Sequence, residues 1–300
     1  MKYAILSLGA LGDTICHYYR HNSIFGQIPS FKKNNKQSLI KVICCSSNQE
    51  TVELFKFNPY IDQVEHVPWA LNSVGIKERN LEFKKHLEGW HCLNVRDKLP
   101  KAKFAPPNMF LEAEEKVQVK SIIAQGKYIL IHPFASYITK VREDRYKYII
   151  DTMIDDLNYN VVVVGGSHNR SFQQQEVLHK EHFKYERDGL YNLVNKTNVR
   201  VAVSLAKNAY GYFGTWSAFY CAAYTCPAGP MVLCTEDRAP TIDLVNKKRF
   251  GNTEYKKIIT PSWHIIPDLS EENERNITKA LDANKRRIRE QIIQHLGHNK

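Results

Sequence analysis

The stretch that most constrains the fold is Lys2-Tyr3-Ala4-Ile5-Leu6-Ser7-Leu8-Gly9-Ala10-Leu11-Gly12-Asp13-Thr14, a strand-length apolar run that ends in a glycine turn and delivers one carboxylate. A helix-compatible segment follows from Thr14 to about Arg20. Together they read as the first β-turn-α unit of a doubly wound parallel sheet, in which ligands sit just beyond the carboxyl ends of strands. Asp13 therefore either caps the helix, as Asp commonly does, or presents its carboxylate to a ligand. Position alone leaves both open. A dinucleotide fingerprint needs G-x-G-x-x-G and an acid about 20 residues on. Here Gly9 and Gly12 are three apart, and the next apolar run, Leu39 to Cys45, leads into Ser46-Ser47-Asn48. No nicotinamide cofactor is expected.

Strand, turn and helix patterns alternate along all 300 residues, the signature of parallel sheets covered on both faces. Phe31 to Lys36 reads as a basic loop, and Ser47-Asn48-Gln49-Glu50 as a capping box opening a helix that ends before Pro59. Short strands are predicted at Gln63 to Val67 and Trp90 to Val95. Consecutive Pro106 and Pro107 break regular structure ahead of a linker helix from Met109 to Ala124. Gly126 marks a restart, and further strand-turn units follow, the last at Pro230 to Cys234 with Thr235-Glu236-Asp237 as its exit loop. Tyr128 to His132 leads into Pro133-Phe134-Ala135-Ser136, Asn160 to Val164 into Gly165-Gly166, and Ala209 to Phe213 into Gly214-Thr215-Trp216-Ser217. These turns predict a second ligand face. Asp268-Leu269-Ser270-Glu271 caps a charged final helix up to about His295 with a stripe that includes Ile288, Ile292 and Ile293. The expected domains are 1–125, 126–268, and a C-terminal helix 269–300 packing back on the N-terminal domain.

Hydrophobic residues make up 43% of the chain, enough for two ordinary cores. Seven Cys at 16, 44, 45, 92, 221, 226 and 234 form no C-x-x-C pair and read as buried free thiols. With no signal-peptide pattern and no 18-residue apolar run, the expectation is a soluble cytoplasmic protein. The net charge of +11 favours a polyanionic partner: nucleic acid, a phosphorylated glycolipid at a membrane surface, or a nucleotide-linked substrate.

Leu8-Gly9-Ala10-Leu11-Gly12-Asp13-Thr14-Ile15, His132-Pro133-Phe134-Ala135-Ser136 with Lys140, and Val161 to Arg170 resemble the lipopolysaccharide heptosyltransferase family, the ninth family of glycosyltransferases. The resemblance implies an α/β GT-B fold of two facing Rossmann-like domains. It implies Asp13 as catalytic base, with Gly9 and Gly12 forming the acceptor-side turn. It also implies a donor-phosphate contact at Lys140, and with the strand-end turns the nucleotide-sugar donor is expected at His132, Ser136, Lys140, Gly165, Gly166, Gly214, Thr215, Trp216 and Ser217. The family's D-T-G-x-x-H segment falls on residues 214–219, where only the threonine is kept. His168-Asn169 stands where the family often has an acid for the donor ribose.

The chemistry agrees with that resemblance. Transfer from a nucleotide diphosphate needs a base for the acceptor hydroxyl and donors for the departing diphosphate. Asp13 suits the first role; Lys140, Thr215, Ser217 and the amides opening the following helix suit the second. No D-x-D pair occupies a metal position, so the expected mechanism is metal-independent and inverting, with the nucleotide-diphosphate sugar as co-substrate and no other cofactor. The acceptor is either a bacterial glycan or lipopolysaccharide core, or duplex DNA with hydroxymethylated bases, as in viral DNA modification. A non-catalytic nucleotide-sugar or nucleic-acid binding module is the further alternative.

Overall fold

The computed structural model describes residues 1–8, 11–12, 15, 24–46, 50–68, 85–92, 109–133, 143–165, 183–214, 217–223, 226–233, 263–265, 286 and 288–296. The chain divides into two compact units, Met1–Ala113 and Glu114–Lys300. Among the described residues no helix is long and apolar enough to cross a membrane.

In the first unit, β1 (Lys2–Leu8), β2 (Leu39–Ser46), β3 (Gln63–Pro68) and β4 (His91–Cys92) form a parallel sheet in the order β3-β2-β1-β4. The chain steps outward from β1 to β3 and then returns to pair β4 on the other side of β1. Ala4, Ile5, Val42, Ile43 and Cys45 are buried, as in a sheet whose two faces are both covered. Lys41 is the exception in this core. Its ammonium donates to the His86 carbonyl at 2.6 Å and to Glu65 at 3.1 Å, and lies 4.8 Å from the Trp90 ring centroid. Burial opposes ionisation of Glu65, but the bonds from His86 and Lys41 outweigh it and hold the carboxyl below its usual range.

Helix α1 (Ile24–Asn34) replaces the first part of the basic loop expected at 31–36. Pro29 lies inside it, which is why a local reading stops there. Lys32 holds its last turn to the sheet, donating to the Ser38 carbonyl at 2.7 Å and pairing with Asp62, which also accepts from the Ile40 amide. Helix α2 (Glu50–Glu53) is shorter than expected and runs into turns that include Phe57 at φ 58°.

The second unit contains β5 (Tyr128–His132), β6 (Asn160–Val163), β7 (Leu190–Asn192), β8 (Gly211–Gly214), β9 (Pro230–Leu233) and β10 (Trp263–Ile265). All neighbours are parallel, in the order β10-β9-β8-β5-β6-β7. From β5 the chain winds outward through β6 and β7, then resumes at β8 on the opposite side of β5. Every residue of β5 is buried. Helix α3 (Ala113–Ile123), expected as a linker belonging to 1–125, is part of this unit from its second residue. The reason is a buried ion pair. Glu115 binds Arg200 of α5 (Val199–Asn208) and accepts from Asn198, whose own oxygen caps α5 by accepting from the Val201 amide at 3.1 Å. Breaking a pair of this kind costs about 3–5 kcal/mol because the surviving charge stays buried.

The final helix also corrects an expectation. It was expected against the N-terminal domain, yet its described residues 288–296 lie in the core of the second unit. Ile288, Ile292 and Leu296 recur every four residues, one helical stripe, and join Ile131, Met153, Val161 and Phe213. Arg289 meets Asp156 with two bonds of 2.8 and 2.7 Å, and the Tyr159 hydroxyl donates to the Leu296 carbonyl. Asp156 closes a π-helical turn (Thr152–Asp156) that continues α4 (Glu143–Asp151). Of the described cysteines, Cys44, Cys45, Cys221 and Cys226 are buried free thiols as expected, whereas Cys92, on the two-residue β4, is exposed.

Candidate functional site

Each sheet has one place where successive connections leave in opposite directions, the kind of place beyond the carboxyl ends of strands where open α/β sheets generally bind ligands. In the first unit this place is between β1 and β4. The chain beyond β1 becomes helical at Leu11, Gly12 and Ile15, with Ile15 fully buried. Gly9 and Asp13 lie outside the described residues.

In the second unit the reversal lies between β5 and β8. Their last residues, His132 and Gly214, are register partners, and Ile131 of β5 pairs with Val163 of β6 on the other side. Three of the predicted turns thus start from adjacent strands. At β6 the Val164 amide donates to the Ile131 carbonyl, and the Gly165 carbonyl accepts from the Asn195 amide at 2.9 Å, which pins the glycine turn. Gly166, Ser136, Lys140, Thr215 and Trp216 lie outside the described residues.

At β8 the backbone leaves no room for a side chain. A Cβ on Gly214 would stand 2.3 Å from the His132 carbonyl oxygen and 3.1 Å from the Tyr212 hydroxyl. The glycine found where the resembled family has an aspartate is therefore a packing requirement of this chain.

The His132 ring is buried and meets Phe219 edge-on, centroids 4.7 Å apart. Desolvation lowers its pKa to about 3, so the imidazole is neutral at physiological pH. Phe219 belongs to α6 (Ala218–Ala222), whose N-cap is Ser217. At five residues α6 is too short to sum a strong macrodipole. The polar groups at this turn therefore act singly rather than through the helix. One is the half-buried Ser217, whose Oγ lies 3.1 Å from the hydroxyl of the fully buried Tyr212. Among the described residues these three strand ends carry hydroxyls and backbone groups but no carboxylate. Tyr212 and Phe219 were not legible as site residues, because aromatics in a strand and a short helix read as core.

A cleft of about 560 Å³ opens at the opposite, amino-terminal end of this sheet, lined by Lys127, Asn158, Asn160, Arg187 and Asp188 among others. It lies away from the predicted turns.

No protein-family model matches the chain, and no curated protein matches it. Solved structures do. The E. coli ADP-heptose LPS heptosyltransferase II aligns over 99% of this chain and 99% of its own, with a TM-score of 0.51 and 13% identity. A glycosyl transferase family 9 structure from Veillonella parvula aligns over 99% of this chain and 97% of its own, with a TM-score of 0.54 and 12% identity. The fold is GT-B. At such identities the likeness establishes architecture, and the GT-B assignment agrees with the resemblance read from the turns at Asp13, His132 and Gly165.

Proposed function

We propose that this GT-B chain is a nucleotide-sugar-dependent glycosyltransferase, inverting and metal-independent. The donor lies against the second unit, beyond β5, β6 and β8, and the acceptor is served by the turn after β1. Asp13 takes the proton from the acceptor hydroxyl. The acceptor oxygen then bonds to the anomeric carbon as the bond from that carbon to the diphosphate oxygen breaks, releasing a nucleoside diphosphate. Lys140, Thr215 and Ser217 stabilise the leaving diphosphate, and Trp216 contacts the base or sugar. His132, buried and neutral, holds the β5 end in place.

The observation that carries this reading is the reversal of winding between β5 and β8, with His132, Gly165 and Gly214 at the carboxyl ends of β5, β6 and β8. Buried free thiols at Cys44, Cys45, Cys221 and Cys226 support a reducing, cytoplasmic setting. A thermal-shift screen with UDP-, ADP-, GDP- and CMP-sugars tests the reading. One diphosphate sugar should stabilise the protein by about 2.7 kcal/mol at a hundred times its Kd. No stabilisation by any of them, or a response to CMP-sugars alone, would contradict it.

The acceptor is polyanionic. One reading is a bacterial glycan or lipopolysaccharide core. Duplex DNA is the second, favoured by the +11 charge and by a groove of about 440 Å³ that gathers Lys32, Lys33 and Lys36 beside Tyr60 in the first unit. Asp62 already pairs with Lys32, so Lys33 and Lys36 supply most of the field there. Affinity for duplex DNA falling steeply with salt would select the second reading, and salt-insensitive or absent binding the first.

A further inference from the structure

The cleft of about 560 Å³ at the amino-terminal end of the second sheet takes no part in the reaction proposed above, yet its lining is built from unusual pieces. Ile154 lies in the π-helical turn, a rare form that recurs at functional sites. Asn158, just beyond that turn, holds a left-handed backbone at φ 56°. At Gly189, φ +81°, a Cβ would stand 3.3 Å from the Ile154 side chain and 3.7 Å from Asn160 Oδ1, both of which line the cleft. The glycine leaves open the space that a side chain would fill.

The charges here exclude an anion. Arg187 is held by Asp151 at 2.6 Å and by Asp155 at 2.6 and 3.0 Å, and Lys127 shares the lining with Asp188. Counting the two acids that hold Arg187, two cations stand against three carboxylates. A phosphate meets no attractive field there, although the chain as a whole carries +11. Lys127, which pairs with no carboxylate among the described residues, in turn disfavours a cation.

What remains is hydrogen-bonding capacity. Among the described residues the side chains of Asn158 and Asp188 bond no other protein group, and the Lys127 ammonium meets only the Tyr210 ring, 5.0 Å from its centroid. Asn160 donates its amide to the Gln125 carbonyl at 2.7 Å and has its oxygen left over. Arg187 Nε is buried without a hydrogen-bond partner, a donor desolvated by folding with nothing in return. Amides that donate and accept, a carboxylate that accepts and cations that donate thus surround the apolar groups of Ile154 and Leu157. A pyranose, with hydroxyls on its rim and an aliphatic face, matches that set.

We propose that this cleft is a second binding site, for an uncharged saccharide, whose hydroxyls are held by Asn158, Asn160, Asp188 and Lys127. Its volume falls within the range of about 300–1,000 Å³ usual for small-molecule sites. The site does not depend on the glycosyltransferase reading, because it lies at the other end of the sheet from the turns assigned to the donor.

Ligand-observed NMR titration of the full chain with glucose, galactose, mannose, maltose and lactose tests this. Four or so hydrogen bonds of ordinary net strength predict saturable binding of at least one sugar, with a Kd on the order of a millimolar. Asp188→Ala and Asn158→Gly should each weaken it by about two- to tenfold. Both variants should keep the wild-type Tm, since Asp188 and Asn158 are exposed and glycine accepts the left-handed backbone. The bound sugar should slow hydrogen exchange at 154–160 and 187–189. No saturable binding of any of the five sugars would overturn the proposal, as would binding that both variants leave unchanged, which places the sugar elsewhere. Displacement of the sugar by inorganic phosphate would overturn it too, by making the cleft an anion site.

Discussion

Replacing Gly214 by alanine should be among the most damaging single-methyl additions in the second unit. The added Cβ would lie 2.3 Å from the His132 carbonyl oxygen, a backbone atom of the paired strand that cannot rotate away. That is roughly 1 Å inside ordinary contact, so β5 and β8 must part where they are in register. Overpacking of this kind costs about 1–3 kcal/mol. The backbone at Gly214, φ +155°, adds a conformational strain of about 1–3 kcal/mol for an L-residue. The sum is about 2–6 kcal/mol, equivalent to a fall in Tm of roughly 4–24 °C at about 2–4 °C per kcal/mol. Gly126→Ala is the internal control, because Gly126 is also at positive φ, +102°, but has nothing within 4 Å of its would-be Cβ. It should lose only the strain contribution. Urea unfolding of both variants, with unchanged m-values, reads the difference. A Gly214→Ala loss no larger than that of Gly126→Ala would refute the close-approach argument. Gly214→Asp, which restores the acid of the resembled D-T-G-x-x-H segment, should fare no better than alanine.

Glu115→Ala should cost about 3–5 kcal/mol in urea unfolding, because it takes the carboxylate from the buried Arg200 guanidinium and removes the acceptor for Asn198; a loss under 1 kcal/mol would show the pair to be dispensable. Stability should also fall on acidification from pH 6.5 toward 3. Over that window the unfolded chain protonates His132 while the folded chain does not, a slope of about 1.4 kcal/mol per pH unit, and His295, lowered by burial, acts in the same direction. A His132→Gln variant should show a shallower slope between pH 6.5 and 5, and an unchanged slope would contradict the burial. Asp13→Asn keeps a competent N-cap, so it should lose roughly 10²-fold or more in turnover with donor affinity and Tm preserved. Near-wild-type turnover would remove Asp13 from the mechanism.

The parts of the fold legible in the sequence are those written in local pattern. Continuous apolar runs gave β1, β5 and β6. The three-residue strands β7 and β10 lie at the two edges of their sheet and carry too few residues for a periodic signal. Helix α1 was hidden by Pro29 and by the run of lysines and asparagines at its end. The unit boundary was missed because the contact that decides it joins Glu115 to a partner 85 positions away. The stripe of the last helix revealed which face is buried but not what covers it. At the candidate site, glycine turns disclosed where the strands end. The burial of His132 and the pairing of Tyr212 with Ser217 depend on which strands become neighbours, which no local pattern states.

In the proposed function the donor sits beyond β5, β6 and β8 of the second unit. Hydrogen exchange of the full chain, with and without the nucleotide-diphosphate sugar that gives the largest thermal shift, tests it most directly. A donor bound there should slow exchange at residues 131–132, 163–165, 211–214 and 217–221, the strand ends and the short helix after β8. Protection confined to the amino-terminal end of the same sheet, around Lys127, Asn158, Asn160 and Arg187, would contradict it.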